Sequence, residues 1–136
     1  MALFATKWQD GYNLQIMKRN LKYRPLPVYG LKEEVLKILE KGDKKDLMLL
    51  ALSVGESFPD WQYAQEVCLG LAESEDEDIR ANACQGLSYV ARTKLNLDRN
   101  IVEPVLLREL ETQIKNKWII TNAIDDVNYY LKWNIK

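Results

Sequence analysis

Gly70–Cys84 reads GLAESEDEDIRANAC. Leu71 is followed eight residues later by an aliphatic, Ile79, and four residues after that by a small residue, Ala83. The same skeleton stands in ILEKGDKKDLMLLAL, from Ile38, as Leu39, Leu47 and Ala51. It stands again in ELETQIKNKWIITNAI, from Glu109, as Leu110, Ile119 and Ala123, with one residue more before the aliphatic. The three alanines lie 32 and 40 residues apart. That period suits a repeat made of two helices, in which each unit buries its apolar face on its neighbour.

The segments around this skeleton read as helices. Ala64, Val67, Cys68, Leu71 and Ala72 follow the i, i+3, i+4, i+7, i+8 spacing of one buried stripe, and Ile79, Ala83, Leu87, Val90 and Ala91 make the next. Asp43 and Asp60 are natural N-caps, and Gly42 and Gly55 natural helix stops. Ser74 with Glu77 and Asn100 with Glu103 are capping-box patterns, and Pro104 then falls in a first turn, where its missing N–H is harmless. No window alternates with period two, so no sheet is expected. The expectation is a single all-α domain over 1–136, an α-solenoid of about three antiparallel helix pairs at 31–57, 60–92 and 99–133. The segment 93–99 reads as the longest internal connection. Residues 1–30 form an N-terminal cap segment: YNLQIMKRNLKY is able to make one short helix before Pro25 and Pro27 break it.

Within the second unit, Asp78-Ile79-Arg80 followed by Ala83 and Leu87 resembles the second helix of a HEAT repeat. The first and third units keep the skeleton but carry Met48 and Ile120 at the arginine position. The resemblance implies a structural role for Arg80, tying neighbouring repeats. It also implies that the second helices line the concave side, where partners bind.

Composition excludes several chemistries. A chain of 136 residues with 47% apolar and 29% charged residues has the make-up of a soluble globular protein. No apolar run approaches the ~20 residues of a membrane span, and MALFATKWQD lacks the pattern of a signal peptide, so a cytoplasmic location is expected. There is no histidine, which removes the commonest general base and metal ligand. Cys68 and Cys84 form no Cys-x-x-Cys pair and read as buried thiols. The glycines stand apart, so no phosphate-cradling loop is present. No enzymatic activity, no metal and no cofactor are expected.

Charge is segregated. Residues 1–30 sum to +4, and residues 46–91 hold nine acids against Arg80 alone, a sum of −8. Five of those acids occupy six positions, Glu73–Asp78. Two readings of this run stand side by side. Carboxylates at a helix start favour the macrodipole, and one or two suffice for that. The surplus, Glu75, Asp76, Glu77 and Asp78, reads as a rim that steers a basic partner. The spacing lacks the glycine and long loop of an EF-hand.

A second surface follows from the repeat alignment. At an offset of 40 residues, Asn82 matches Asn122, Gln85 matches Asp125 and Tyr89 matches Tyr129. All six lie away from the alanine stripe on a helical wheel, with Asp126 and Trp133 on the flank. An ordinary wet helix face is one reading. A partner-binding face with Tyr89 and Tyr129 as aromatic anchors is the other. Trp61 and Trp118 begin helices and are expected to fill gaps between repeats.

In size, helical architecture and acidic middle, the chain resembles bacterial immunity proteins of the polymorphic-toxin or contact-dependent growth inhibition kind. That resemblance implies a cognate toxin domain as partner, commonly a nuclease with a basic cleft, and inhibition by covering its active site. A general scaffold or adaptor uses the same face equally well. A HEAT-like nucleic-acid enzyme, of the DNA glycosylase kind, would need a basic groove, and the face offers only Lys132 and Arg92. Binding of nucleic acid or membrane is therefore not expected.

Overall fold

The computed structural model describes residues 25–136. The short helix expected within the N-terminal cap segment lies outside the described residues, and residues 25–30 run without helix or strand. Six helices follow: α1 (Lys32–Lys41), α2 (Lys44–Ser57), α3 (Trp61–Leu71), α4 (Glu77–Lys94), α5 (Arg99–Thr112) and α6 (Lys117–Leu131). No strand occurs among the described residues. No described helix is long and apolar enough to cross a membrane.

The helices pair in chain order, and the second member of each pair joins an inner row. There α4 lies between α2 and α6 and also touches α3 and α5. The repeated alanines explain the row. Ala51, Ala83 and Ala123 are buried on α2, α4 and α6, where a small side chain lets neighbouring helices approach. Both apolar stripes read from the spacing are buried along their whole length. Cys68 and Cys84 are free, buried thiols. Burial pushes the Cys84 thiol up to about 12, which leaves it protonated and inert at neutral pH.

Gly55 corrects one expectation. It does not stop α2, which continues to Ser57. A Cβ on Gly55 would run into the carbonyl oxygen of Gly86, and one on Gly86 into that of Ala51. The two glycines let α2 and α4 cross backbone to backbone. Gly42, by contrast, ends α1 with φ of 72°, the left-handed conformation that glycine adopts without strain.

The caps show the same mixture of agreement and correction. Asp43 accepts from the Asp46 amide, and Asp60 from the Gln62 and Tyr63 amides. At α4 the cap is Asp76 rather than Ser74: its carboxylate accepts from the amides of Asp78 and Ile79, which frees Glu77 for other contacts. At α5 the expected box at Asn100 gives way to an N-cap at Asp98, whose carboxylate takes no backbone amide of the helix. Instead Gln65 Nε2 donates to the Asp98 carboxylate at 2.9 Å while the Asp98 amide donates to Gln65 Oε1 at 2.7 Å. That reciprocal pair joins α3 to the start of α5. Glu103 turns to Arg99 at 2.6 Å, and Pro104 lies inside the helix, deeper than its first turn. The longest connection between described helices is 72–76, the acid turn itself, rather than the segment after α4.

Candidate functional site

The acid turn is drawn into the fold almost residue by residue. Lys44, at the start of α2, reaches Asp76 at 3.0 Å and Asp78 at 2.9 Å. From the α5–α6 connection, Asn116 Nδ2 donates to Asp78 at 2.7 Å, and Lys115 pairs with it at 3.3 Å. The Glu77 carboxylate accepts from the backbone amides of Ile114 at 2.6 Å and Lys115 at 3.3 Å. Glu73 pairs with Arg108 at 2.8 Å. Hydrogen bonds from Lys44 hold the Asp76 and Asp78 carboxyls below the usual carboxylate range, and Asn116 pulls Asp78 further down. The turn therefore ties the first, second and third pairs together along one edge. Of the five acids in the turn, only Glu75 has no partner for its carboxylate among the described residues; its backbone carbonyl accepts from Arg80.

Behind the turn lies a buried ionic node. Glu109 is 1% exposed and accepts from Arg80 Nε at 3.0 Å, Arg108 Nε at 2.9 Å and Gln113 Nε2 at 3.0 Å. Burial alone would push the Glu109 carboxyl up, but the bonds from Gln113, Arg80 and Arg108 outweigh it and hold the group below its ordinary value. Arg80 also donates to the carbonyls of Ser74 and Glu75. It thus fastens the second pair to the third.

The inner face divides into two halves. On α4 the three named residues are half-buried. Asn82 Nδ2 donates to the Met48 carbonyl at 3.2 Å and holds α4 to α2. Gln85 Nε2 donates to the Tyr89 hydroxyl at 3.3 Å. The Tyr89 ring lies under the Arg92 guanidinium, 4.4 Å from the ring centroid, and Arg92 is paired with Glu56. Tyr89 and Arg92 line one wall of a hollow of about 560 Å³ whose other walls include Leu26, Val28 and Leu52.

On α6 the situation is reversed. Asn122, Asp125 and Tyr129 are exposed, and among the described residues Asp125 makes no ion pair. Asp126 is half-buried beside them. Burial pushes its carboxyl up and Asp125 adds to the rise, while the nearby Arg92 works against both; the net shift is upward. Asp126 thus lies within the electrostatic reach of Arg92 without pairing with it. Tyr129 carries the Lys132 ammonium 5.1 Å from its ring centroid and meets Tyr130 edge-on at 4.9 Å.

Two tryptophans depart from expectation, and one matters here. Trp133 does not flank the face. Lys132 takes φ of 61°, the chain turns back, and Trp133 is buried beneath Arg99. Trp118 does not fill a gap between repeats: it is 65% exposed. Trp118, Asn122, Asp125 and Tyr129 follow i, i+4, i+7, i+11, a single stripe opposite the buried Ile120, Ala123, Ile124 and Val127. The signal was present in that spacing. Residue size, which argues for burial of a tryptophan, pointed the other way.

Fold and site together define an all-helical stack of helix pairs that displays an acidic helix face bounded by aromatic rings. No protein-family model matches the sequence, and no curated protein does. Among solved structures, a chain from the crystal structure of a CDI complex from Cupriavidus taiwanensis is similar, with a TM-score of 0.68. The two share 21% identity over 80% of this chain and 96% of that one, so the likeness is one of fold.

Proposed function

We propose that this chain is an immunity protein of the contact-dependent growth inhibition kind, which binds a cognate toxin domain and blocks its active site or substrate cleft. The observation that carries the reading is the likeness in fold, across nearly the whole of the other chain, to a chain from a CDI complex. The α4–α6 face supports it independently. Asn82, Gln85, Tyr89, Asn122, Asp125, Asp126 and Tyr129 supply the surface. Asp125 and Asp126 are the carboxylates that meet toxin lysine or arginine. The partner this favours is a basic nuclease domain, whose substrate-binding cations an acidic inhibitor engages in place of phosphates. The protein acts in the cytoplasm as a HEAT-like binding module, by contact rather than catalysis, with no metal, nucleic acid or membrane in its mechanism.

The roles within the acidic surface are unequal. Glu75, on the rim, contributes to long-range attraction, whereas Asp76, Glu77 and Asp78 are already engaged by their own chain and add mainly to the field. The test is co-expression with the product of the gene immediately upstream, taken as the candidate toxin. Protected growth, together with a stoichiometric complex of the purified proteins, is the expected outcome. Cells that die at the rate of an empty-vector control, with no complex formed, would refute the reading.

A further inference from the structure

The α6 stripe carries more than the face to which three of its residues were assigned. Trp118 and Tyr129 are 65% and 68% exposed, at opposite ends of one helix surface. Eleven residues of helix separate them by roughly 16 Å. Asn122 and Asp125 lie between, and the apolar side of the same helix is fully consumed by the core. Large aromatics left in water at both ends of a polar helix face are what the centre of a protein interface requires. They bring contact area with few rotatable bonds, and such positions dominate binding energy.

From this arrangement, and resting on the immunity reading above, we infer that the Trp118–Tyr129 stripe is the energetic centre of the toxin interface. It seats a lysine- or arginine-bearing segment of the toxin along α6, with its cation on Asp125 and its flanks against the two rings. Three observations fix the chemistry of that occupant. Asp125 has no ion-pair partner among the described residues, and α6 carries no Lys or Arg after Lys117. The rings of this region accept cations: Lys132 sits over Tyr129, and Arg92 over Tyr89. A second copy of this chain fits poorly, because a two-fold axis near the middle of the stripe would bring the Asp125 and Asp126 carboxylates of both copies together, and like charges oppose such a contact.

The experiment compares dissociation of the upstream-encoded toxin domain from the parent, Trp118→Ala, Tyr129→Ala and Trp118→Phe, alongside thermal melting of each free protein. Each alanine variant is expected to release the toxin at least about thirtyfold faster, the rate that corresponds to a hot spot. Trp118→Phe should recover most of that loss, and all melting temperatures should match the parent. If the parent binds but the alanine variants dissociate at the parental rate, the stripe is not the anchor, while the immunity reading survives. If the parent does not bind, both fall. Light scattering closes the remaining alternative. A parental dimer that Trp118→Ala converts to a monomer would assign the stripe to self-association and overturn the inference.

Discussion

The acid turn and the α6 face both attract attention as negative surfaces, yet they differ in what their charge is free to do. The turn holds five carboxylates in six residues, and four of them are bonded to Lys44, Arg108, Lys115, Asn116 or backbone amides. The α6 face holds two carboxylates, and Asp125 is left open among the described residues. Density of charge in a sequence is therefore a poor guide to charge available to a partner. The cations that neutralise the turn come from outside the acidic stretch 46–91, so segregation along the chain becomes pairing in space.

The contrast predicts that substitutions behind the turn damage the fold and substitutions on α6 do not. The largest effect is expected at the ionic node. Glu109→Ala removes the buried acceptor that Arg80, Arg108 and Gln113 share and leaves a void, and urea unfolding should show a loss of about 3–5 kcal/mol. A loss under about 1 kcal/mol would mean that the node contributes little and that the turn is less structural than its contacts imply. Next is Gly86→Ala, which forces a methyl group onto the Ala51 carbonyl and should cost about 1–3 kcal/mol by pushing α2 and α4 apart. Gly70→Ala is its control. There the added Cβ meets nothing, and removing a glycine from a helix should stabilise by roughly 0.5–1 kcal/mol.

Acid titration separates the two regions by sign. Asp76, Asp78 and Glu109 have folded-state values below their unfolded ones. The stability they contribute is fully present above about pH 5, above the unfolded carboxylate values, and is lost as pH falls through the folded values. Melting temperature should therefore drop steeply on the acid side, and Lys44→Met should flatten that drop by releasing Asp76 and Asp78. Asp126 has the opposite sign. Its value is raised, so its contribution is present below the unfolded value and lost as pH rises through the folded one. At neutral pH it is a small liability, and Asp126→Asn should raise the melting temperature slightly while weakening toxin binding. A lower melting temperature for that variant would mark Asp126 as a structural residue.

Most of the architecture was legible because it is local. Helical stripes, the Asp43 and Asp60 caps and the alanine period are all written within a turn or two of one another. Pair boundaries differ from expectation by two residues at most. What failed depends on tertiary partners or on competition between equivalent neighbours. Ser74 and Asp76 are both competent caps; Asp76 takes the role, and Glu77 turns instead to the Ile114 and Lys115 amides on the following pair. Gly55 reads as a stop until Gly86 is known to face it. For the site, the polar character of Asn122, Asp125 and Tyr129 was readable from the wheel. That Asn82 is tied to Met48, half-buried and unlike its counterpart Asn122, was not. The repeat alignment equates a central helix, flanked on both sides, with one at the end of the row.

The most direct test of the account sets the two acidic surfaces against each other on one partner. Asp125→Lys with Asp126→Lys, and separately Glu75→Lys, are measured for association and dissociation with the proposed toxin partner, the candidate encoded upstream, with melting as the control for folding. The account predicts that the α6 pair shortens complex lifetime by the equivalent of about 2–5 kcal/mol without lowering the melting temperature. Glu75→Lys is predicted to slow association alone and to flatten its dependence on salt. A complex that keeps its lifetime when Asp125 and Asp126 are reversed, but loses it when Glu75 is, would contradict the account and return the acid turn to the role of working surface.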